Sequence, residues 1–262
     1  MAARAAFDFS GANVVVTGAS RGIGLGIAQA YAAAGANLSI VANDAEVADA
    51  AAELTRRWGR PVRSAVVDIA EPAGLEAVFE EIGRIDVLVN NAGLELMTRI
   101  EDTADEVETI FRRIVDINVT GTFLVSRAAV KYMTGPGASI VNTASIWGRT
   151  AEAGFSAYVA SKHAVIGLTR TLAKELAPRD IRVNAVCPGW VKTVASMRSL
   201  ARMSQMTGRS EDDILAEIDG NQALPGLMEP ADVASTYLFL SSDAAQNITG
   251  QAIMVDRGEV MA

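Results

Sequence analysis

Short β-branched runs alternate along the chain with longer alanine-rich stretches, the pattern of repeated strand–helix–strand units around a parallel sheet. Residues 13–17 (NVVVT) predict a first strand and 23–34 the helix after it. A second strand is expected at 38–42 and a helix at 45–58, then strands at 62–68 and 85–90 with a helix near 73–82 between them. Strands at 139–144 and 181–186 follow, each after a long helix, and Pro178 stands where a proline can end the second of those. A last helix starts at Pro230, and 251–255 makes a closing strand. Seven strands with helices between them describe a doubly wound parallel sheet. No Pro/Gly/Ser linker, low-complexity tract or repeat interrupts it, so 1–262 reads as one domain. One stretch breaks the rhythm. Residues 194–227, rich in Met, Ser and charge, are longer than an ordinary connection and predict a lid or substrate-binding loop.

Half of the 262 residues are apolar, enough for a substantial core without metals or crosslinks. Cys187 is the only cysteine, so no intrachain disulfide can form, which suits a reducing compartment. The opening MAARAAFDFSG lacks the apolar stretch of a secretory signal. No run of roughly eighteen apolar residues predicts a membrane span. A net charge of −8 repels nucleic acid and anionic lipid, and no basic stripe overrides it. The expectation is a soluble, cytoplasmic protein without nucleic-acid or membrane partners. The single histidine, His163, argues against a zinc site or a Ser–His triad.

The first chemistry lies in Thr17-Gly18-Ala19-Ser20-Arg21-Gly22-Ile23-Gly24, which leaves the first strand and opens the first helix. Glycines there let the backbone turn sharply and approach a pyrophosphate, whose charge sits at the helix N-terminus. A glycine-rich turn alone can be purely structural, but open α/β sheets bind ligands at this edge. Farther along, Tyr158 and Lys162 stand four apart on a predicted helix, hence on one face. A tyrosine hydroxyl has a pKa of about 10, and a neighbouring ammonium favours the phenolate and brings it toward useful acid–base range. Most such pairs are ordinary surface neighbours. Ser145 ends the fifth strand thirteen residues before Tyr158, where its hydroxyl could meet a developing oxyanion or merely cap a turn.

The TGxxxGxG loop, Asn90-Asn91-Ala92-Gly93 after the fourth strand and the YxxxK pair match, in order and spacing, the short-chain dehydrogenase/reductase superfamily, which the chain resembles from about Phe9 to Gly258. The resemblance implies a Rossmann-type seven-stranded sheet in a three-layer α/β/α domain, assembling as a homotetramer or homodimer. It also implies hydride exchange between a nicotinamide cofactor and an alcohol or ketone. Tyr158 would be general acid in reduction and base in oxidation. Lys162 would lower its pKa and bind the nicotinamide ribose, Ser145 would orient the substrate oxygen, and Asn118 would hold a water that links the lysine to solvent. A nucleotide-sensing scaffold that had lost catalysis would be expected to lack one of these four.

Further cofactor contacts follow from the resemblance: Gly18, Ser20, Arg21, Ile23 and Asn43; Asp68 and Ile69 near the adenine; Asn90, Ala92 and Gly93 at the adenosine ribose; Pro188, Gly189, Val191 and Thr193 at the nicotinamide. Members that take NAD usually carry an acid at the end of the second strand, where Ala42 and Asn43 stand here. Arg21 could pair with a 2′-phosphate, while Asp44 could oppose one. The balance favours NADP over NAD.

Glu95, Ser145, Trp147, Glu152, Phe155 and Trp190 are the side chains expected to face substrate. Two tryptophans and two glutamates suit a sugar or polyol, though both glutamates could be solvated rim residues. The hydroxybutyrate-type branch shares Trp190 and the long loop, but Phe155 stands where its carboxylate-binding lysine is expected. The β-ketoacyl reductase branch expects a basic docking surface, which the net charge does not favour. Arg257 replaces a glycine of the usual VDGG ending, with a role in assembly, in a neighbour's site, or none.

Overall fold

A computed structural model of the chain describes residues 6–261; residues 1–5, part of the opening read for a targeting segment, lie outside them. The strands are β1 (Asn13–Thr17), β2 (Asn37–Ala42), β3 (Arg63–Val66), β4 (Val87–Asn90), β5 (Ser139–Thr143), β6 (Arg182–Pro188) and β7 (Ala252–Val255). They form one parallel sheet in the order β3-β2-β1-β4-β5-β6-β7. Helices α1 (Gly22–Ala33), α2 (Glu46–Trp58), α3 (Pro72–Ile82), α4 (Asp105–Val115), α5 (Thr122–Val130), α6 (Ser156–Leu176), α7 (Val194–Thr207), α8 (Glu211–Gly220) and α9 (Pro230–Ser241) connect and cover the sheet.

Strand pleating puts successive side chains on opposite faces, and β1 divides accordingly. Val14 and Val16 join a core with Ile27 and Tyr31 of α1, Leu54 of α2 and Tyr237 of α9. Val15 points the other way, into a core with Phe79 of α3, Val125 of α5 and Leu172 of α6. Both faces of a parallel sheet are thereby buried, which is why its strands read as unbroken apolar runs. Between β1 and β4 the chain reverses its direction across the sheet, and the crevice beyond those two strand ends is where such folds hold ligands.

The stretch 194–227 is not an irregular loop. It holds α7 and α8, each started by a side-chain cap: Thr193 accepts from the Ser196 N–H in a reciprocal capping box, and Ser210 accepts from the Asp213 N–H. Glycine at position 26 lets α1 approach α9. A β-carbon there would lie 2.7 Å from Pro230 Cβ and 3.0 Å from its backbone carbon. Gly26→Ala is therefore expected to destabilise the fold by roughly 1–3 kcal/mol in a denaturant melt, although alanine is the better helix former.

Candidate active site

Six strand ends, those of β1 to β6, lead into one cavity of about 680 Å³ on the carboxyl edge of the sheet. At one end lies the glycine loop. Thr17 Oγ1 accepts hydrogen bonds from the N–H groups of Asn91 (3.0 Å) and Ala92 (3.1 Å), and Asn91 Nδ2 donates back to the carbonyls of Thr17 (3.1 Å) and Gly18 (3.2 Å). Gly18 has φ +65°, and a β-carbon on it would meet Ala92 Cα at 2.6 Å. The loop and the NNAG segment are thus pinned together with their backbones in contact. No side chain caps the N-terminus of α1, so its first N–H groups are left for a ligand.

Tyr158, Lys162 and Ser145 line the same cavity. Lys162, only 4% exposed, donates to the Thr143 carbonyl at 2.8 Å and stands 5.4 Å from the centre of the Tyr158 ring. Burial brings its pKa down to about 8. Burial also raises the Tyr158 phenol, with the Glu95 carboxylate adding to the rise and the Ser145 hydroxyl opposing it. Desolvation is the leading influence on the phenol, where the resemblance implies a lowering by Lys162. Ser145, 8% exposed, starts a short 3₁₀ turn and accepts from the Trp147 N–H at 3.1 Å. The Trp147 ring meets Tyr158 edge-on at 5.9 Å and Phe155 at 5.0 Å.

The depressed lysine has a stability consequence. Between its folded value of about 8 and the ordinary 10.5, the unfolded chain binds the extra proton, so this group makes stability rise with pH across that window. Relative to Lys162→Met, the parent should gain about 1 kcal/mol between about pH 7 and 9, read as a pH-dependent difference in Tm. A flat difference would contradict the buried, depressed ammonium.

Asn118 lies in a π-helical stretch, Asp116–Gly121, between α4 and α5 rather than in a regular helix. It does not line the cavity. Its carbonyl accepts from the Leu94 N–H (2.7 Å), and its amide donates to the Leu94 carbonyl (3.0 Å) and to Ser161 Oγ (2.9 Å). Gly93 stands between Asn118 Oδ1 and Lys162 Nζ, at 3.3 and 3.6 Å from the position of its missing β-carbon.

Most expected cofactor residues line the cavity: Gly18, Ser20, Arg21, Ile23, Asn43, Asp68, Ile69, Ala92, Gly93, Gly189, Val191 and Thr193. Two expectations need correction. Asn90 lies beneath the cavity, 4% exposed, donating to Ser126 Oγ and Asn142 Oδ1 at 2.9 Å each; its neighbour Asn91 lines the cavity instead. Pro188 is buried in β6 beside Val255 and also stays behind the wall. Arg21 is already engaged, with Asp44 at 2.8 Å and Glu46 at 3.2 Å, and Ser20 Oγ gives its proton to the same Asp44 oxygen at 3.0 Å. The other Asp44 oxygen is buried without a partner among the described residues. Asp68 pairs with Arg113, and Cys187 is packed in the core. His163, exposed, hydrogen-bonds through Nδ1 with the Val159 carbonyl at 3.0 Å.

All five side chains expected beside Ser145 at the substrate end line the cavity: Glu95, Trp147, Glu152, Phe155 and Trp190. The sequence did not single out the side chains that join them from the 194–227 region expected to bind substrate, or from beyond β7. Ser199 of α7 donates to both Glu95 oxygens (2.9 and 2.7 Å), Arg198 donates to the Glu95 carbonyl (2.9 Å), and Glu217 of α8 and Glu259 face in as well. Desolvation raises the Glu95 carboxyl above its ordinary value, with Ser199 and Arg198 opposing the rise.

The loop and cavity together suit an elongated dinucleotide: backbone N–H groups and an uncapped helix start for the diphosphate, flanked by pockets at the ends of β2–β3 and of β6. No helix among the described residues is long and apolar enough to cross a membrane. Residues 18–259 match the family model described as enoyl-(acyl carrier protein) reductase. D-beta-hydroxybutyrate dehydrogenase of Cupriavidus necator is 35% identical over 259 residues, covering 96% of this chain and 98% of that protein. The L-sorbose reductase of Gluconobacter frateurii, solved with NADPH and L-sorbose, superposes with a TM-score of 0.89 at 30% identity over 98% of this chain and 100% of that one. A 3-oxoacyl-[acyl-carrier protein] reductase of Brucella melitensis with bound NAD gives a TM-score of 0.84 at 33% identity over 97% and 92%. With the motifs, the topology and these similarities in agreement, the chain belongs to the short-chain dehydrogenase/reductase superfamily of NAD(P)-dependent oxidoreductases.

Proposed function

We propose that this chain interconverts a secondary alcohol of a sugar, polyol or small hydroxy compound with its ketone, using NAD(H) in preference to NADP(H). The reading rests on the convergence of Tyr158, Ser145 and Lys162 on one cavity whose far end is the glycine loop. A nicotinamide dinucleotide, when bound, supplies or accepts the hydride. Tyr158 takes the carbinol proton in oxidation and returns it to the ketone oxygen in reduction. Ser145, its hydroxyl held by the Trp147 N–H, donates to the substrate oxygen as charge develops there. Lys162 binds the nicotinamide ribose and, when charged, favours the Tyr158 phenolate. Asn118 is a positioning residue that holds Leu94 and Ser161, and with them Gly93, against Lys162.

The Gly18–Ile23 turn would carry the diphosphate, Asp68 and Ile69 the adenine, and Val191 and Thr193 the nicotinamide amide. The cofactor preference departs from the expectation drawn from sequence. Arg21 is neutralised by two carboxylates, leaving this corner net negative toward a 2′-phosphate. The α7–α8 unit would be the substrate wall. A carrier-protein-docked reductase is less well supported, since Glu152, Glu217 and Glu259 face into the cavity. The test is a panel of sugars, polyols, hydroxy acids and β-ketoesters with NAD and with NADP, followed by the absorbance of reduced nicotinamide. Turnover confined to β-ketoesters, or absent throughout, would count against the reading.

A further inference from the structure

Resting on that reading, we infer that Arg257 and Asp219 clamp the Pro225–Gly226 peptide from its two sides and hold helix α8 against the substrate end of the cavity, which makes Arg257 a positioning residue for substrate. Helix α8 supplies Ile214, Glu217 and Ile218 to the cavity lining, with Asn221 just beyond it. Yet Ile214 is its one buried side chain among the described residues. A helix that buries so little apolar surface is poorly held by packing, so its place depends on polar fastenings at its ends. At its start Arg209 pairs with Glu217. At its other end the chain returns to the body of the domain through the strap 221–228.

The far end of the strap is fixed by Met228, which is buried and whose carbonyl accepts from the Lys192 N–H at 2.8 Å. Nearer α8, a single peptide unit carries the connection. Arg257 Nη1 donates to the Pro225 carbonyl at 2.7 Å, and the Gly226 N–H of the same peptide donates to Asp219 Oδ1 in the last turn of α8. The Arg257 carbonyl also accepts from the Leu224 N–H at 2.9 Å.

Both clamp residues are locally unfavourable where they stand. Arg257 has φ +55°, and Asp180 is the only other non-glycine residue with positive φ among the described residues. Aspartate tolerates left-handed backbone through its short polar side chain, whereas arginine bears a steric cost that glycine avoids. The turn itself needs no arginine, because the Asp256 carboxylate shapes it by accepting from the N–H groups of Gly258 (3.1 Å) and Val260 (2.8 Å). Asp219 places a negative charge at the C-terminal end of α8, where the helix dipole favours a positive one. What the two residues share is the Pro225–Gly226 peptide. Strain kept at a position points to a role for it, and here the side chain involved reaches the strap that holds α8.

Arg257→Ala and Arg257→Gly separate the side chain from the backbone. Both remove the clamp, so amide hydrogen exchange in 211–224 should quicken about tenfold in each, with the core strands unchanged. Glycine relaxes the left-handed turn, so Arg257→Gly should melt about 2 °C or more above Arg257→Ala. On the best substrate of the sugar, polyol, hydroxy acid and β-ketoester panel, the substrate KM should rise about fivefold in both, with the dinucleotide KM within about twofold of the parent's. Asp219→Ala should reproduce the exchange and KM effects. Its combination with Arg257→Ala should exceed the larger single effect by less than about twofold, because both act on one peptide. Exchange in 211–224 equal to the parent's, full additivity of the two substitutions, an unmoved substrate KM or no gain of glycine over alanine overturns the assignment. Equal rises in both KM values overturn it too, since they mark a global loosening. Should Arg257→Ala fail to fold, Arg257→Gly and Asp219→Ala carry the exchange, KM and additivity comparisons. A parent that turns over no member of the panel counts against the oxidoreductase reading, while the exchange and melting data still decide the clamp.

Discussion

Tyr158→Phe should abolish turnover while leaving dinucleotide binding close to that of the parent. The change removes one oxygen and keeps the ring, so the edge-on contact with Trp147 and the Lys162–Thr143 hydrogen bond are expected to survive. What disappears is the group that carries the proton between solvent-shielded substrate and the enzyme, a contribution worth about 10²- to 10⁴-fold in rate. The phenol is held above its ordinary value by burial and by Glu95, so in the oxidising direction the parent's rate should rise toward alkaline pH as more phenolate forms. That rise should be missing from the residual activity of the phenylalanine variant. Steady-state assays across pH, paired with a titration of cofactor binding by thermal shift, separate the two effects. A variant that keeps a rate within tenfold of the parent's would remove Tyr158 from the chemistry.

Much of this arrangement is legible in the sequence because it is local. Gly18 of TGxxxGxG is needed where the loop touches Ala92, and the apolar runs of β1, β4 and β5 mark strands buried on both faces. Strand ends then bring Ser145, Tyr158 and Lys162 to one edge. Side-chain direction at a strand end is less legible. Asn90 and Asn91 are consecutive, and the phase of β4 sends the first into a polar chain with Ser126 and Asn142 and the second toward the glycine loop. Helix α7 escaped notice because it buries little, chiefly Ser199 and Leu200, so no wide apolar stripe marks it; its capping box at Thr193 and Ser196 was the available signal. Pairings such as Glu95 with Ser199 or Arg21 with Asp44 join residues that only the folded chain brings together.

The Arg21–Asp44 pairing leads to the second large effect, a swing in cofactor preference. Asp44→Ala is expected to raise the NADP:NAD ratio of kcat/KM about a hundredfold, roughly 3 kcal/mol. Two changes act in the same direction. Asp44 occupies the donors a 2′-phosphate would use, Arg21 Nη2 and Ser20 Oγ, both on one of its oxygens; removing it frees them for charge-assisted hydrogen bonds. Asp44 is also a partly exposed carboxylate lining the cavity, and with it goes a negative charge that opposes a 2′-phosphate. Asp44→Asn keeps the shape but drops the charge, and should move the ratio part of the way. Glu46 still reaches Arg21 at 3.2 Å, but it is more exposed than Asp44, and its hold on the guanidinium is weaker for that reason. Glu46→Gln alone should therefore shift the ratio much less than Asp44→Ala. Equal shifts from the two would mean that the 2′ position responds to net charge at the rim, and a ratio unmoved by Asp44→Ala would place the ribose away from Asp44 altogether.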